Sequence, residues 1–152
     1  MIRPTRRIRI ADVAVAFDAA PAETFDYLVD PANRPGWQAS LRRVDRLAAI
    51  GESPGEAGTS WTDITWVPGV SPTMEVTDYE PPRRWREIGR WWWADASLTL
   101  TFRALADSRT EVRATAFLTV PTLLAPGAIG LAVVTPWALR ADLRSAAAAV
   151  AE

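Results

Sequence analysis

Val13, Val15 and Phe17 alternate with Ala14 and Ala16, the period-two pattern of a half-buried strand. Over residues 18–30 the period changes. Phe25, Leu28 and Val29 share one helical face at i, i+3 and i+4, and Pro21 suits the first helical position. Glu23 favours the positive end of the helix dipole, and Pro31 stops the helix. Asn33-Arg-Pro-Gly-Trp37 reads as a turn or second short helix that delivers an indole. From there the pattern is β: runs at 41–50, 59–67, 73–79, 85–93, 96–105 and 110–120, with a Gly/Pro-rich loop at 51–58. Leu98, Leu100 and Phe102 face one side of their strand, and Ala106-Asp-Ser-Arg109 reads as the hairpin turn after it. Short connections imply an antiparallel meander. The tail is helical, with Leu139, Leu143, Ala146 or Ala147, and Val150 as its apolar stripe. Arg140, Asp142 and Arg144 are turned to solvent. Pro136 sits in its first turn, or kinks a longer helix beginning near Leu123. The class is α+β, with a helix lying across a sheet.

At 152 residues the chain is read as one domain, 1–152, with room for a real core. Hydrophobic residues at 49% and charged residues at 23% exclude disorder as the main state. The chain has no His and no Cys, so imidazole chemistry, thiolate nucleophiles, disulfides and zinc sites are excluded. All 17 basic residues are Arg, which removes Schiff-base chemistry. Proton transfer falls to Asp, Glu, Tyr or water, and a metal would find oxygen ligands only. A net charge of −1 with Arg spread along the chain predicts no nucleic-acid partner. Arg3, Arg6, Arg7 and Arg9 form one basic cluster, but the charged, alternating residues after it do not make a secretory signal; a cytoplasmic protein is expected. No charge lies between Arg113 and Arg140. Pro121, Pro126, Pro136, Gly127 and Gly130 interrupt that stretch, so a buried strand and buried helix are expected there, without membrane contact.

Four segments together resemble the START-related, Bet v 1-like superfamily, in particular its polyketide cyclase/dehydrase branch. They are Ala20-Pro-Ala-Glu-Thr-Phe-Asp-Tyr-Leu-Val-Asp-Pro-Ala-Asn33 with Pro35-Gly-Trp37, then Gly55-Glu-Ala-Gly-Thr-Ser-Trp61, then Met74-Glu-Val-Thr-Asp-Tyr-Glu-Pro-Pro-Arg-Arg-Trp85. The fourth is the strand pair 98–102 and 110–115 with the helix that follows. The resemblance implies a helix-grip fold: a curved seven-stranded antiparallel sheet around the last helix, two short helices after the first strand, and an apolar cavity between. It says little about the reaction. The chain departs from the usual pattern at Trp91-Trp-Trp93 and in the long apolar stretch 123–139, which could form a flap over the cavity mouth.

Eight tryptophans offer stacking surfaces for an aromatic ligand; the alternatives are core filling and a homodimer contact. Neighbours in Trp91-Trp92-Trp93 must point to opposite faces, so at least one is exposed or in an interface. If Trp85 faces inward, as the family pattern implies, Glu87, Gly89 and Trp91 share its face. Trp61, Asp63 and Thr65 likewise share one. Glu87 and Asp63 are then the candidate acid/base groups, their pKa values raised by desolvation, unless a register slip turns both to water. Candidate ligand contacts are Trp37 at the mouth, Trp61, Trp85, Trp91, Tyr79, Leu100 and Phe102, with Arg90 as an anion anchor if inward. Tyr27 could donate a phenolic proton; Arg113 and Glu75 are expected outside, and Arg83, Arg84 and Arg86 on a solvated edge.

These readings favour a hydrophobic, aromatic or polyketide-like small molecule as partner and a cofactor-free cyclisation or dehydration as chemistry. The alternatives are a non-catalytic carrier or sensor of lipids or apolar metabolites, and a co-chaperone or quinone-delivery protein exposing an apolar patch near 123–139.

Overall fold

Seven strands form one antiparallel sheet in the order β1-β7-β6-β5-β4-β3-β2 in this computed structural model, which describes residues 4–106 and 108–151. They are β1 (Thr5–Phe17), β2 (Leu41–Ala48), β3 (Ser60–Thr65), β4 (Thr73–Glu80), β5 (Arg84–Trp91), β6 (Ala94–Ala104) and β7 (Thr110–Pro121). Helix α1 (Pro21–Val29) and a 3₁₀ helix (Pro31–Gly36) follow β1, and α2 (Ala125–Val150) closes the chain along β1. Arg3 and Asp107, placed above in the basic run and the β6–β7 turn, lie outside the described residues.

β1 begins earlier than the sequence pattern suggests. Its basic start pairs with the end of β7, and the Arg7 guanidinium stacks 3.6 Å from the Phe117 ring centroid, so alternating arginines are accommodated on a strand. A bulge between Arg9 and Ala11 then sets the parity that buries Ala11, Val13 and Phe17. A second bulge, between Val76 and Asp78, turns Tyr79 inward opposite Trp85 although Val76 is also inward. Glu75 and Arg113 are exposed, as expected.

The core gathers Phe25 and Leu28 of α1, Leu143 and Ala146 of α2, and Trp61, Trp85, Leu100 and Val112 of the sheet. Strand β5 stops at Trp91, not Trp93. Trp92 and Trp93 form a two-residue hairpin turn, since Trp91 pairs with Ala94, and Trp92 holds a positive φ of 56° that non-glycine residues rarely adopt. A 3₁₀ turn (Thr122–Leu124) leads into α2, so Pro136 lies inside the helix instead of in its first turn. The expectation of a buried helix after β7 holds only for the inner face of α2. Thr122–Val150 is long and apolar enough to cross a membrane, yet it lies along the sheet with Leu131, Val133, Val134 and Trp137 exposed.

Candidate functional site

The 3₁₀ helix is stiffened by Pro31 and Pro35 and capped where the Ala32 N–H donates to the Asp30 carboxylate at 3.0 Å. It points Arg34 and Trp37 at the concave face of the sheet, where both are buried. Opposite them stands Glu87, between Trp85 and Gly89 on the inner face of β5. Arg34 grips Glu87 bidentately: Nη1 donates to Oε2 at 2.9 Å and Nη2 donates to Oε1. Arg34 Nε donates to the Gln38 amide oxygen at 2.7 Å. Three indoles surround the cation, with ring centroids 5.3 Å (Trp37), 5.9 Å (Trp61) and 5.9 Å (Trp85) from the guanidinium carbon. With Arg34 and Glu87 only 4% and 2% exposed, desolvation is nearly complete, and only this many hydrogen bonds and contacts make such a pair tolerable.

Asp63, on the inner face of β3, adds a second carboxylate and accepts the Trp61 indole N–H at 2.8 Å. Burial pushes the Asp63 carboxyl up, against the opposing pull of Arg34 and the Trp61 bond. Burial, with Asp63 nearby, also raises Glu87, while Arg34 draws it back. Desolvation works against the Arg34 charge, but Glu87, Asp63 and Asp142 together hold its pKa above the ordinary value. Asp142 of α2, expected in solvent, is half-buried, accepts the Ala39 N–H at 3.2 Å, and is raised by that burial. One cation thus faces three carboxylates. Glu87 touches the guanidinium directly, while Asp63 and Asp142 act on it through their nearby charge.

The cluster lies at two adjoining clefts, one of about 260 Å³ between sheet and α2 and one of about 330 Å³ along the sheet, which share Arg34, Gln38, Met74, Glu87 and Ala96. The first is walled by Ile10, Leu98, Ala116, Phe117 and Leu139, with Asp142 as a polar point from α2. The second runs past Asp63 to Val70, Trp91 and Leu118. Gly89 lines the second cleft, where an added Cβ would lie 2.7 Å from Met74 Sδ and the flexible Met74 side chain would have to move. Trp37, which lines the first cleft, has its Nε1 buried with no hydrogen-bond partner among the described residues, an unpaired donor beside the Arg34 cation.

Glu87, Asp63, Trp37 and Trp91 therefore line the clefts, while Trp61 and Trp85 stand behind them. Trp85 is fixed by donating to the Gly55 carbonyl at 3.0 Å. Leu100 and Phe102 are core, and Tyr79 packs on Phe25 at 5.6 Å, away from the clefts. Arg90 is a correction: period two puts it on the outer face with its guanidinium 4.0 Å from Asp95, so it anchors nothing inside. Tyr27 is half-buried, and desolvation raises its pKa. Sequence reasoning missed Arg34 and Gln38. An inward Glu87 requires a buried countercharge, and an arginine held between two prolines just before Trp37 is the signal that could have supplied it.

A curved seven-stranded antiparallel sheet with a long final helix laid along it is the helix-grip, Bet v 1-like fold. Among solved structures, norcoclaurine synthase from Thalictrum flavum, crystallised as a point mutant with a transition-state analogue, matches at TM-score 0.68 and 13% identity over 99% of this chain and 96% of that one. The same synthase in complex with dopamine and hydroxybenzaldehyde matches at TM-score 0.67 and 13% identity over 97% and 87%. A conserved protein from Geobacillus kaustophilus matches at TM-score 0.68 and 16% identity over 92% and 93%. No family model and no curated protein sequence matches the chain. At these identities the likeness is one of fold.

Proposed function

We propose that this chain binds an apolar, aromatic or polyketide-like small molecule in the paired clefts and catalyses a cofactor-free cyclisation or dehydration on it, acting in the cytoplasm. The observation that carries the reading is the Arg34–Glu87 pair with Asp63 and Asp142 in a largely apolar groove. A carrier of apolar molecules gains nothing from a buried ion pair with a further buried carboxylate beside it, groups costly to desolvate. In this reading the apolar walls fold a flexible substrate. Arg34 and the open Trp37 N–H steady a carbonyl or enolate oxygen, and Asp63 moves the proton. Glu87, engaged by both guanidinium nitrogens, positions Arg34, a narrower role than the acid/base one its sequence position suggests. The similarity of fold to a synthase solved with two small aromatic molecules supports a groove of this use. The second reading, a non-catalytic carrier, is favoured by the apolar walls alone.

Native against denaturing mass spectrometry of the protein purified from its own host tests the reading. The expected result is a retained apolar metabolite or its cyclised product, lost in Ala96→Phe, which fills the space both clefts share. For a turned-over substrate, Asp63→Asn should lower kcat by about 10²–10⁴-fold. An empty wild-type protein that also binds no polycyclic aromatic by tryptophan quenching would overturn it, and a bound ligand released unchanged by both wild type and Asp63→Asn would move the chain to the carrier class.

A further inference from the structure

The register places three apolar features at one end of the sheet. Trp91 pairs with Ala94, Thr73 with Arg90, and Thr5 with Pro121, so the β5–β6 hairpin, the β3–β4 loop and the entry to α2 are neighbours. Each exposes large apolar side chains. Trp92 and Trp93 stand at the hairpin, the first 74% exposed, and Trp66 and Val67 in the loop. Leu123 at the helix entry is 93% exposed. The first half of α2 continues the surface with Val133, Val134 and Trp137 outward. Monomeric proteins rarely leave so continuous an apolar surface uncovered.

The charges around it choose the occupant. Arg6 and Arg7 of β1 and Arg90 of β5 are exposed at this same end, and Arg42 lies 5.4 Å from the Trp66 ring. Asp95, beside Arg90, is the carboxylate among them. At the opposite end Asp18, Glu23, Asp26, Glu52 and Glu56 are interspersed with the exposed Arg46, Arg83, Arg103 and Arg109. A net charge of −1 therefore hides one basic, tryptophan-rich end, while the other end mixes both signs. A two-fold dimer through the apolar face would bring the arginine rims of both copies together. An anionic lipid surface meets both features at once, since indoles favour the headgroup level and arginines the lipid phosphates.

We propose that this end of the molecule is a docking surface for an anionic lipid bilayer, with Trp66, Trp92, Trp93 and Leu123 at the headgroup level and Arg6, Arg7, Arg42 and Arg90 against the phosphates. It is peripheral contact, since the inner face of α2 stays on the sheet. The sequence alone predicted no membrane contact; the proposal departs from that expectation on the outward orientation of the apolar half of α2 beside two tryptophan-bearing turns. The second cleft reaches Val70, Trp91 and Ala94 at this same end, which gives an apolar ligand a route from the bilayer. The proposal goes beyond the ligand reading and does not depend on it.

Co-sedimentation of the full chain with vesicles of phosphatidylcholine, alone or mixed with phosphatidylglycerol, is the test. Wild type should pellet with the mixed vesicles and be released by about 0.5 M salt, where the Debye length falls to a few ångströms. Trp92→Asn with Trp93→Ser should weaken vesicle binding about tenfold. Arg6→Gln or Arg90→Gln should each weaken it about fivefold, and only for anionic vesicles. All these residues are exposed, so unchanged circular dichroism and Tm will show that the fold survives. Wild type remaining in the supernatant with both vesicles, or variants pelleting as wild type does, would overturn the proposal. So would a dimer without vesicles that the same substitutions split into monomers, which would give the face to a second copy.

Discussion

The two halves of α2 obey opposite rules. Over 140–150 the helix buries Leu143 and Ala146 completely and turns Arg140 and Arg144 to water, the ordinary arrangement of a helix on a sheet. Over 125–139 the buried residues are the small Ala125 and Ala128, while Leu131, Val133, Val134 and Trp137 point outward. Small residues inside leave room beneath the helix, and that room is part of the first cleft, reached by Thr135, Ala138 and Leu139. The second half holds the fold together; the first half roofs a site and leaves an apolar surface to be covered.

The largest expected effect lies where the roofed half meets the sheet. Arg34→Met strands the buried Glu87 charge and should destabilise by about 3–5 kcal/mol, measured by urea unfolding. Arg34→Met with Glu87→Met should recover most of that loss, because the apolar pair removes the desolvation penalty along with the attraction. A double variant no better than the single would show that the pair's geometry, and not its charge balance, holds the loop. Next comes the helix contrast itself. Leu143→Ala should cost about 2–5 kcal/mol, whereas Val134→Ser should stay within about 0.5 kcal/mol. Comparable losses at both positions would remove the distinction between the halves.

The smallest effect is a pH slope. Burial raises Asp63 in the folded state, so that state holds the proton more tightly than the unfolded chain does. Its contribution is therefore most favourable below the ordinary carboxylate value near 3.8 and is lost as pH rises through the folded value. Asp63→Asn should gain in Tm relative to wild type as pH rises from about 4 to 8. A parallel pair of Tm curves would contradict the burial argument.

Much of the fold was legible because its elements are locally consistent. The period-two runs of β6 and β7, Pro21 at the start of α1, and the Leu139–Leu143–Ala146 stripe each point to one answer. The inward face of β5 was also readable, since Trp85, Glu87 and Gly89 share a parity. What escaped depends on partners far apart in the chain. Arg34 becomes a site residue only because Glu87 lies 53 positions away in sequence and 2.9 Å away in space. Asp142 enters the cleft through its bond to Ala39, and Tyr79 turns inward through a bulge that no alternation pattern contains. The outward apolar face of α2 was misread because an uncharged stretch looks the same whether it is covered or waiting to be covered.

The central claim is that the Arg34 cluster floors a ligand site with an open donor at Trp37, and the indole N–H groups can report on it individually. A ¹H–¹⁵N spectrum of the protein titrated with 2-naphthoate, a flat apolar ring carrying acceptor oxygens, should shift the Trp37 indole and the Arg34 Nε resonances. The Trp85 indole, already bonded to the Gly55 carbonyl, should stay in place. Shifts confined to Trp92, Trp93 and Trp137, with Trp37 and Arg34 unmoved, would contradict the claim and leave the apolar surface as the molecule's only binding face for such a ligand.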